Sequence, residues 1–144
     1  MNKKPVLKSK VRNWLVQKDE VIAFAREWDP QPFHVDAEAA RRSHFGGLIA
    51  SGFHTLAVAF RLLYQTGFLV DANLGGPGID ELRWLRPVFP GDTLRCESEV
   101  LEKRRSASRP EMGIFKSRLT VFNQDDVPVM SMVSNGLIAT RARA

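Results

Sequence analysis

The sequence predicts one α+β domain in which helices come first and a long antiparallel sheet then closes around a single buried helix. Three observations predict it. The apolar period changes from 3.6 residues to 2 near residue 78. The segment Phe53–Thr66 is apolar round nearly its whole circumference, with Arg61 its only charge, and a helix of that kind is normally covered on every side. Turn chemistry at Pro90-Gly91-Asp92 and at Asn123-Gln124-Asp125-Asp126 separates strand-like runs. The 144 residues fit one domain at the usual ~100–200 residues each, and no linker or internal repeat divides them.

Residues 1–10 are a polar, basic start expected to be loosely ordered, leading into a short strand around Val11–Gln17. Asp19 is placed to cap a helix whose stripe of Val21, Phe24, Ala25 and Trp28 falls at i, i+3, i+4 and i+7. Pro30 and Pro32 end that helix by Asp29, because proline disfavours helical backbone in the residue before it. Asp36 reads as the N-cap of a short helix, Ala37–Arg42, which Phe45-Gly46-Gly47 breaks. Ser51 or Gly52 caps the long helix and Gly67 stops it. Strands are then expected at Ile79–Pro87, Thr93–Lys103, Ile114–Phe122 and Val127–Thr140. In the second, Leu94, Cys96, Ser98 and Val100 share one face, and Arg95, Glu97, Glu99 and Lys103 share the other.

Composition narrows the function classes. Hydrophobic residues are 44% and charged residues 26%, which excludes collagen-like, low-complexity and wholly disordered chains. A lone cysteine, Cys96, excludes an intramolecular disulfide framework and a cysteine-rich zinc site. No apolar run approaches the ~18 residues of a membrane span, and no hydrophobic segment follows the basic start as a signal peptide requires. A cytoplasmic protein with no membrane partner is the expectation. Lys plus Arg number 21 against 16 Asp plus Glu, a formal charge of +5. That excess suits an anionic partner (nucleic acid, acidic lipid or a phosphate-bearing small molecule) as readily as it suits solubility alone.

Two stretches carry the candidate chemistry. Asp29-Pro30-Gln31-Pro32-Phe33-His34 sets a carboxylate and an imidazole five residues apart on a loop stiffened by two prolines. Acid/base catalysis needs two such groups within reach of one substrate or water; a turn with a capping aspartate and a hydrogen-bonded histidine would use the same residues. The second stretch, Phe45-Gly46-Gly47-Leu48-Ile49-Ala50-Ser51-Gly52-Phe53-His54-Thr55, runs into the long helix. Glycine at a helix start leaves backbone N–H groups accessible beside the positive end of the dipole, where a carbonyl oxygen developing charge can sit. It also lets a helix start pack tightly. His54 reads as a packed histidine and His44 as a surface one.

Other routes find no support. There is no phosphate-binding or dinucleotide glycine pattern, no nucleophile elbow around a serine, and three scattered histidines make no metal site. Basic residues are not interleaved with aromatics on one sheet face, so nucleic acid is not an expected partner.

Three motifs in order resemble the MaoC-like hydratase family, which includes (R)-specific enoyl-CoA hydratases. Trp28-Asp29-Pro30-Gln31-Pro32-Phe33-His34 keeps the Asp-x4-His spacing and second proline of that family's motif. Phe45–Gly52 is similar to its entry into the central helix, and Arg86-Pro87-Val88-Phe89-Pro90-Gly91-Asp92-Thr93-Leu94 resembles its hairpin turn. The likeness spans about residues 18–140. It departs at Gln31, where the family has Asn, at Trp28, where it has Gly, and at Ser51, where it usually has His.

The resemblance implies a single hotdog domain over residues 1–144, a long central helix wrapped by a curved antiparallel sheet. It implies a homodimer or dimer of dimers, with an acyl-CoA thioester bound near the subunit interface and no cofactor or metal beyond the coenzyme A of the substrate. Asp29 and His34 would hold the water that adds to a trans-2-enoyl thioester, and the Gly52 amide would polarise the thioester carbonyl. Gln31, Phe33, Ser51 and Phe53 would line the substrate pocket. Arg83, Arg86, Lys103, Arg104 and Arg105 are the candidate partners of the coenzyme A phosphates. A non-catalytic acyl-CoA binder or interaction protein, or a hotdog thioesterase, are the alternative functions.

Overall fold

A computed structural model describes residues 6–8, 13–65 and 73–140. Two short strands, β1 (Val6–Lys8) and β2 (Trp14–Leu15), precede four helices: α1 (Lys18–Trp28), α2 (Pro32–Val35), α3 (Ala37–Arg41) and α4 (Gly52–Gln65). Four long strands follow: β3 (Asn73–Trp84), β4 (Thr93–Arg105), β5 (Met112–Phe122) and β6 (Pro128–Ala139). The sheet runs β1-β4-β5-β6-β3, with β2 also pairing the start of β4. Every pairing is antiparallel. Within the expected basic start, Val6–Lys8 thus forms an edge strand opposite Glu97–Glu99. Residues 11 and 12 of the expected first strand, and Gly67, lie outside the described residues.

The predicted period-2 alternation in β4 holds. Leu94, Cys96, Ser98 and Val100 are all buried and their neighbours are not. Those inner positions meet one face of α4, whose Val58, Ala59, Leu62 and Leu63 join Leu119, Val121, Met130 and Met132 of β5 and β6 in the core. Burying a side chain such as Leu62 contributes about 1.5–3 kcal/mol relative to leaving it exposed.

Three differences from expectation have physical causes. Helix α1 begins two residues earlier than Asp19 implied: Gln17 is the N-cap, and Asp19 sits in the first turn with Glu20, where negative charge suits the helix dipole. Of the two expected caps of α4, Ser51 serves, accepting through Oγ from the Phe53 amide and through its carbonyl from His54 and Thr55. Helix α4 is apolar all round but is covered on one side only, since Phe53 is 55% and Tyr64 48% exposed. Finally, β3 starts at Asn73, six residues before the expected strand, and stops at Trp84. Gly75, Gly76 and Gly78 lie within the strand, whose pairing with β6 shifts register around them. A further shift falls between Asp80 and Arg83, where Glu81 adopts φ 52°. Among the described residues β3 pairs only with β6, and of its twelve residues only Leu82 is even partly buried.

Asp36 caps α3 as expected, accepting from the Glu38 and Ala39 amides. The Pro90-Gly91-Asp92 turn is locked to the N-terminal segment by Gly91 N–H to Val16 O and Val16 N–H to Asp92 O, both 2.8 Å. Gly91 takes φ 94°, the left-handed region that favours glycine.

Candidate active site

The end of α1 and the proline-stiffened loop after it place the two candidate groups. Asp29 terminates α1, its amide donating to Ala25 O at 2.8 Å. Pro32 opens α2, the position where a missing N–H is harmless, and that single turn buries His34. The imidazole Nε2 lies 3.4 Å from Asp29 Oδ2, with both side chains largely enclosed.

Each group is held by further bonds. His34 Nδ1 lies 2.7 Å from the Ile49 carbonyl oxygen. A carbonyl can only accept, so Nδ1 carries a hydrogen and Nε2 keeps its lone pair whenever the ring is neutral. On the carboxylate, Ser51 Oγ donates to Oδ2 at 2.7 Å and Gln31 Nε2 donates to Oδ1 at 2.7 Å. Burial pushes the Asp29 carboxyl up, but the bonds from Ser51 and Gln31, with the nearby His34, together outweigh it. The net effect holds Asp29 below its ordinary 3.8 and keeps it ionised at neutral pH. Two acceptors, a carboxylate oxygen and an imidazole nitrogen, therefore face one another across a gap slightly too long for a good direct hydrogen bond.

Both open onto a pocket of about 370 Å³. Its apolar wall includes Phe33, Phe45, Ile49, Val88 and Val129, and Gly52 and Phe53 at the start of α4 also line it. Ser51 already takes the Phe53, His54 and Thr55 amides, so the first-turn donor left for this pocket is the Gly52 amide, at the positive end of a fourteen-residue dipole.

A family model described as a MaoC like domain matches residues 2–121. The chain belongs to the MaoC-like dehydratase family. It is similar to the crystal structure of a MaoC-like dehydratase from Rhodospirillum rubrum, at 37% identity and TM-score 0.88, covering 99% of this chain and 96% of that one. The curved antiparallel sheet around α4 is the hotdog fold. The chain is also 40% identical over 120 residues to the uncharacterized protein YdeM of Bacillus subtilis, covering 83% of this chain and 84% of that protein. To the mesaconyl-CoA hydratase of Cereibacter sphaeroides it is 41% identical over 73 residues, 51% of this chain but 20% of that protein's length.

In this MaoC-like domain the expected site residues fall into two groups. Asp29, Gln31, Phe33, His34, Gly52, Phe53 and Arg86 line the one pocket. Ser51 does not: it is fully buried behind Asp29 and acts on the carboxylate instead of on the pocket wall. Arg83 lines a separate groove with Glu81 and Arg118. Lys103, Arg104 and Arg105 lie at the opposite end of the sheet, ten or more residues along β4 from Thr93, about 33 Å at ~3.3 Å per residue. There Arg104 pairs with Glu102 and Arg105 donates to Pro110 O. Sequence reading grouped these four by charge alone, and charge carries no information about which end of a strand faces the pocket.

Two groups in the site were not foreseen. The Ile49 carbonyl fixes the His34 tautomer, and a backbone atom leaves no mark in a sequence. Trp84 lines the pocket and donates Nε1–H to the Gly52 carbonyl at 2.9 Å; its place two residues before Arg86-Pro87 was the only available signal. Of the remaining candidates, His54 stacks on Phe24 with centroids 4.6 Å apart, a packed histidine as expected. His44 is exposed. Burial pushes the Cys96 thiol up to about 12, which removes it as a nucleophile. Among the described residues no helix is long and apolar enough to cross a membrane.

Proposed function

We propose that the protein is a hydro-lyase that interconverts a trans-2-enoyl-CoA and a (R)-3-hydroxyacyl-CoA. The observation that carries this reading is the pair of acceptors facing each other at 3.4 Å on the pocket wall, with the histidine tautomer already set. A water molecule has the two O–H groups such a pair wants. Its oxygen is then presented to C3 of the enoyl thioester.

The proton accounting assigns roles. With Asp29 ionised and His34 neutral, neither group begins with a proton to give. His34 Nε2 takes a proton from the attacking water as the oxygen–C3 bond forms. The resulting imidazolium sits beside the Asp29 carboxylate, which stabilises it. The electron pair moves to the thioester oxygen, where the Gly52 amide stabilises the enolate. The imidazolium then delivers the proton to C2, and both groups return to their starting states. Dehydration is the same sequence reversed.

The coenzyme A phosphates meet Arg86, the one member of the five candidate cations that lines the pocket. A second copy of the chain completes the assembly through the open edge of β3. That edge and the adjoining face of α4 expose Leu74, Ile79, Trp84, Phe53 and Tyr64, the apolar patch expected of an interface between copies. We place the protein in the cytoplasm, with no nucleic-acid or membrane partner and no cofactor beyond the substrate's own coenzyme A.

The test is direct. Pure protein mixed with short- and medium-chain enoyl-CoAs should consume the conjugated thioester absorbance. Release of free thiol instead would identify a thioesterase. Flat traces across the panel, with folded protein that still binds CoA esters, would leave the non-catalytic binder as the reading.

A further inference from the structure

Trp84 closes β3 and reaches back over α4. Its Nε1–H donates to the Gly52 carbonyl across 32 positions of sequence. The indole lies so close to Gly52 that a Cβ built there would fall 2.3 Å from Cε2, 2.5 Å from Nε1 and 2.8 Å from Cδ2. Those are distances real Cβ atoms do not reach, so residue 52 is glycine because the ring already occupies the space. Gly52 does not adopt a positive φ; close approach alone explains it. Phe53, the next residue, meets the same ring edge-on at 5.6 Å. The ring is also part of the pocket wall, beside Gly52 and Arg86.

We propose that Trp84 is the positioning residue of the α4 entrance, a clamp that holds Gly52 at its carbonyl and its α-carbon so that the N–H of the same residue, in the preceding peptide, faces the bound thioester carbonyl. The inference rests on the hydratase reading above, and goes beyond it by naming what aims the oxyanion donor. The indole constrains Gly52 in two ways that can be separated. Its N–H ties the carbonyl of residue 52, and its face blocks rotation of the peptide toward the space a side chain would take. The enolate forms only as the reaction proceeds, so a loosened donor should weaken the transition state more than the bound ground state. Trp84 itself takes no proton and forms no bond to substrate.

Three variants test the clamp. Trp84→Phe keeps a ring against Gly52 but removes the donor. It should lower kcat about tenfold with KM within about twofold, the scale of one lost hydrogen bond. Trp84→Ala should lower kcat further and also raise KM, since the pocket wall opens. A thermal-melt cycle with Gly52→Ala supplies a readout independent of turnover. Gly52→Ala should lower Tm in the native background and much less in the Trp84→Ala background, where the clash is gone. If Trp84→Phe lowers Tm but leaves kcat and KM unchanged, Trp84 is structural only and the proposal falls. Equal loss from Gly52→Ala in both backgrounds would show that the ring does not occupy that space, and would also overturn it. Should native protein prove inert toward every enoyl-CoA, the hydratase reading fails; the cycle still decides whether the clamp exists.

Discussion

The two long sides of this molecule are built on opposite terms. Around Asp29 and His34 the polar atoms are spoken for: one imidazole nitrogen by a backbone carbonyl, both carboxylate oxygens by side-chain donors. Among the described residues, β3 pairs on one side only, shifts register three times and leaves its apolar side chains outside. The first region has its polar groups paired, and the second leaves apolar area exposed. Catalytic geometry needs groups whose orientation is fixed before substrate arrives. An association surface needs apolar area left exposed until a partner covers it. The two regions lie on one sheet, whose pocket end is packed by the N-terminal helices while its β3 edge is not.

Breaking the paired region should have the largest effect. Asp29→Asn and His34→Ala are each expected to lower kcat/KM by about 10²–10⁴-fold, with circular dichroism unchanged. Activity retained in both variants would remove the dyad from the mechanism.

Breaking the exposed region should change assembly. Ile79→Lys puts a charge on the open edge, the device natural sheets use to block pairing. Light scattering should report a dimer for native protein and a monomer for the variant. A native monomer, or an unchanged dimer in the variant, would move the interface elsewhere.

Ser51→Ala probes how the carboxylate is held. Loss of a buried donor should raise the Asp29 pKa, shift the acid limb of the kcat/KM profile to higher pH and lower activity about tenfold at neutral pH. The sign follows from a folded-state value below 3.8. Stability from the ionised carboxylate is present above pH 3.8 and is lost as pH falls through the lower folded value. The difference in Tm between native and Ser51→Ala protein should therefore narrow in acid.

The smallest expected effect belongs to Arg86. Arg86→Ala should raise KM for CoA esters about two- to fivefold with kcat little changed, as an exposed ionic contact allows. Lys103→Ala, at the far end of β4, should change neither.

What was legible in the sequence follows the same division. The alternation of β4, the cap at Asp36 and the spacing of Asp29 and His34 are local patterns, and each held. The extent of β3 was not legible, because glycines that signal turns in isolation are tolerated in an edge strand that bulges. The periodicity of α4 marked it as apolar all round, but could not say that one chain covers only half of it. Within the site, the sequence pattern supplied the two titratable groups that meet and missed the groups that hold them. Ser51 was placed on the pocket wall when it stands behind the carboxylate, and Trp84 was passed over entirely. Such roles depend on contacts between positions 22 and 32 residues apart, which no local pattern encodes.

The bond from His34 Nδ1 to the Ile49 carbonyl also gives the imidazole only one way in and out for a mobile proton. Nδ1 cannot pass its hydrogen onward, so whatever Nε2 collects must leave through Nε2. In the dehydrating direction, a deuteron taken from C2 would wait beside the carbon it came from, on the same face as the departing hydroxyl. Some of it should return before bulk water replaces it. The reaction would then carry a short isotopic memory, with label washing out of recovered substrate more slowly than water is formed.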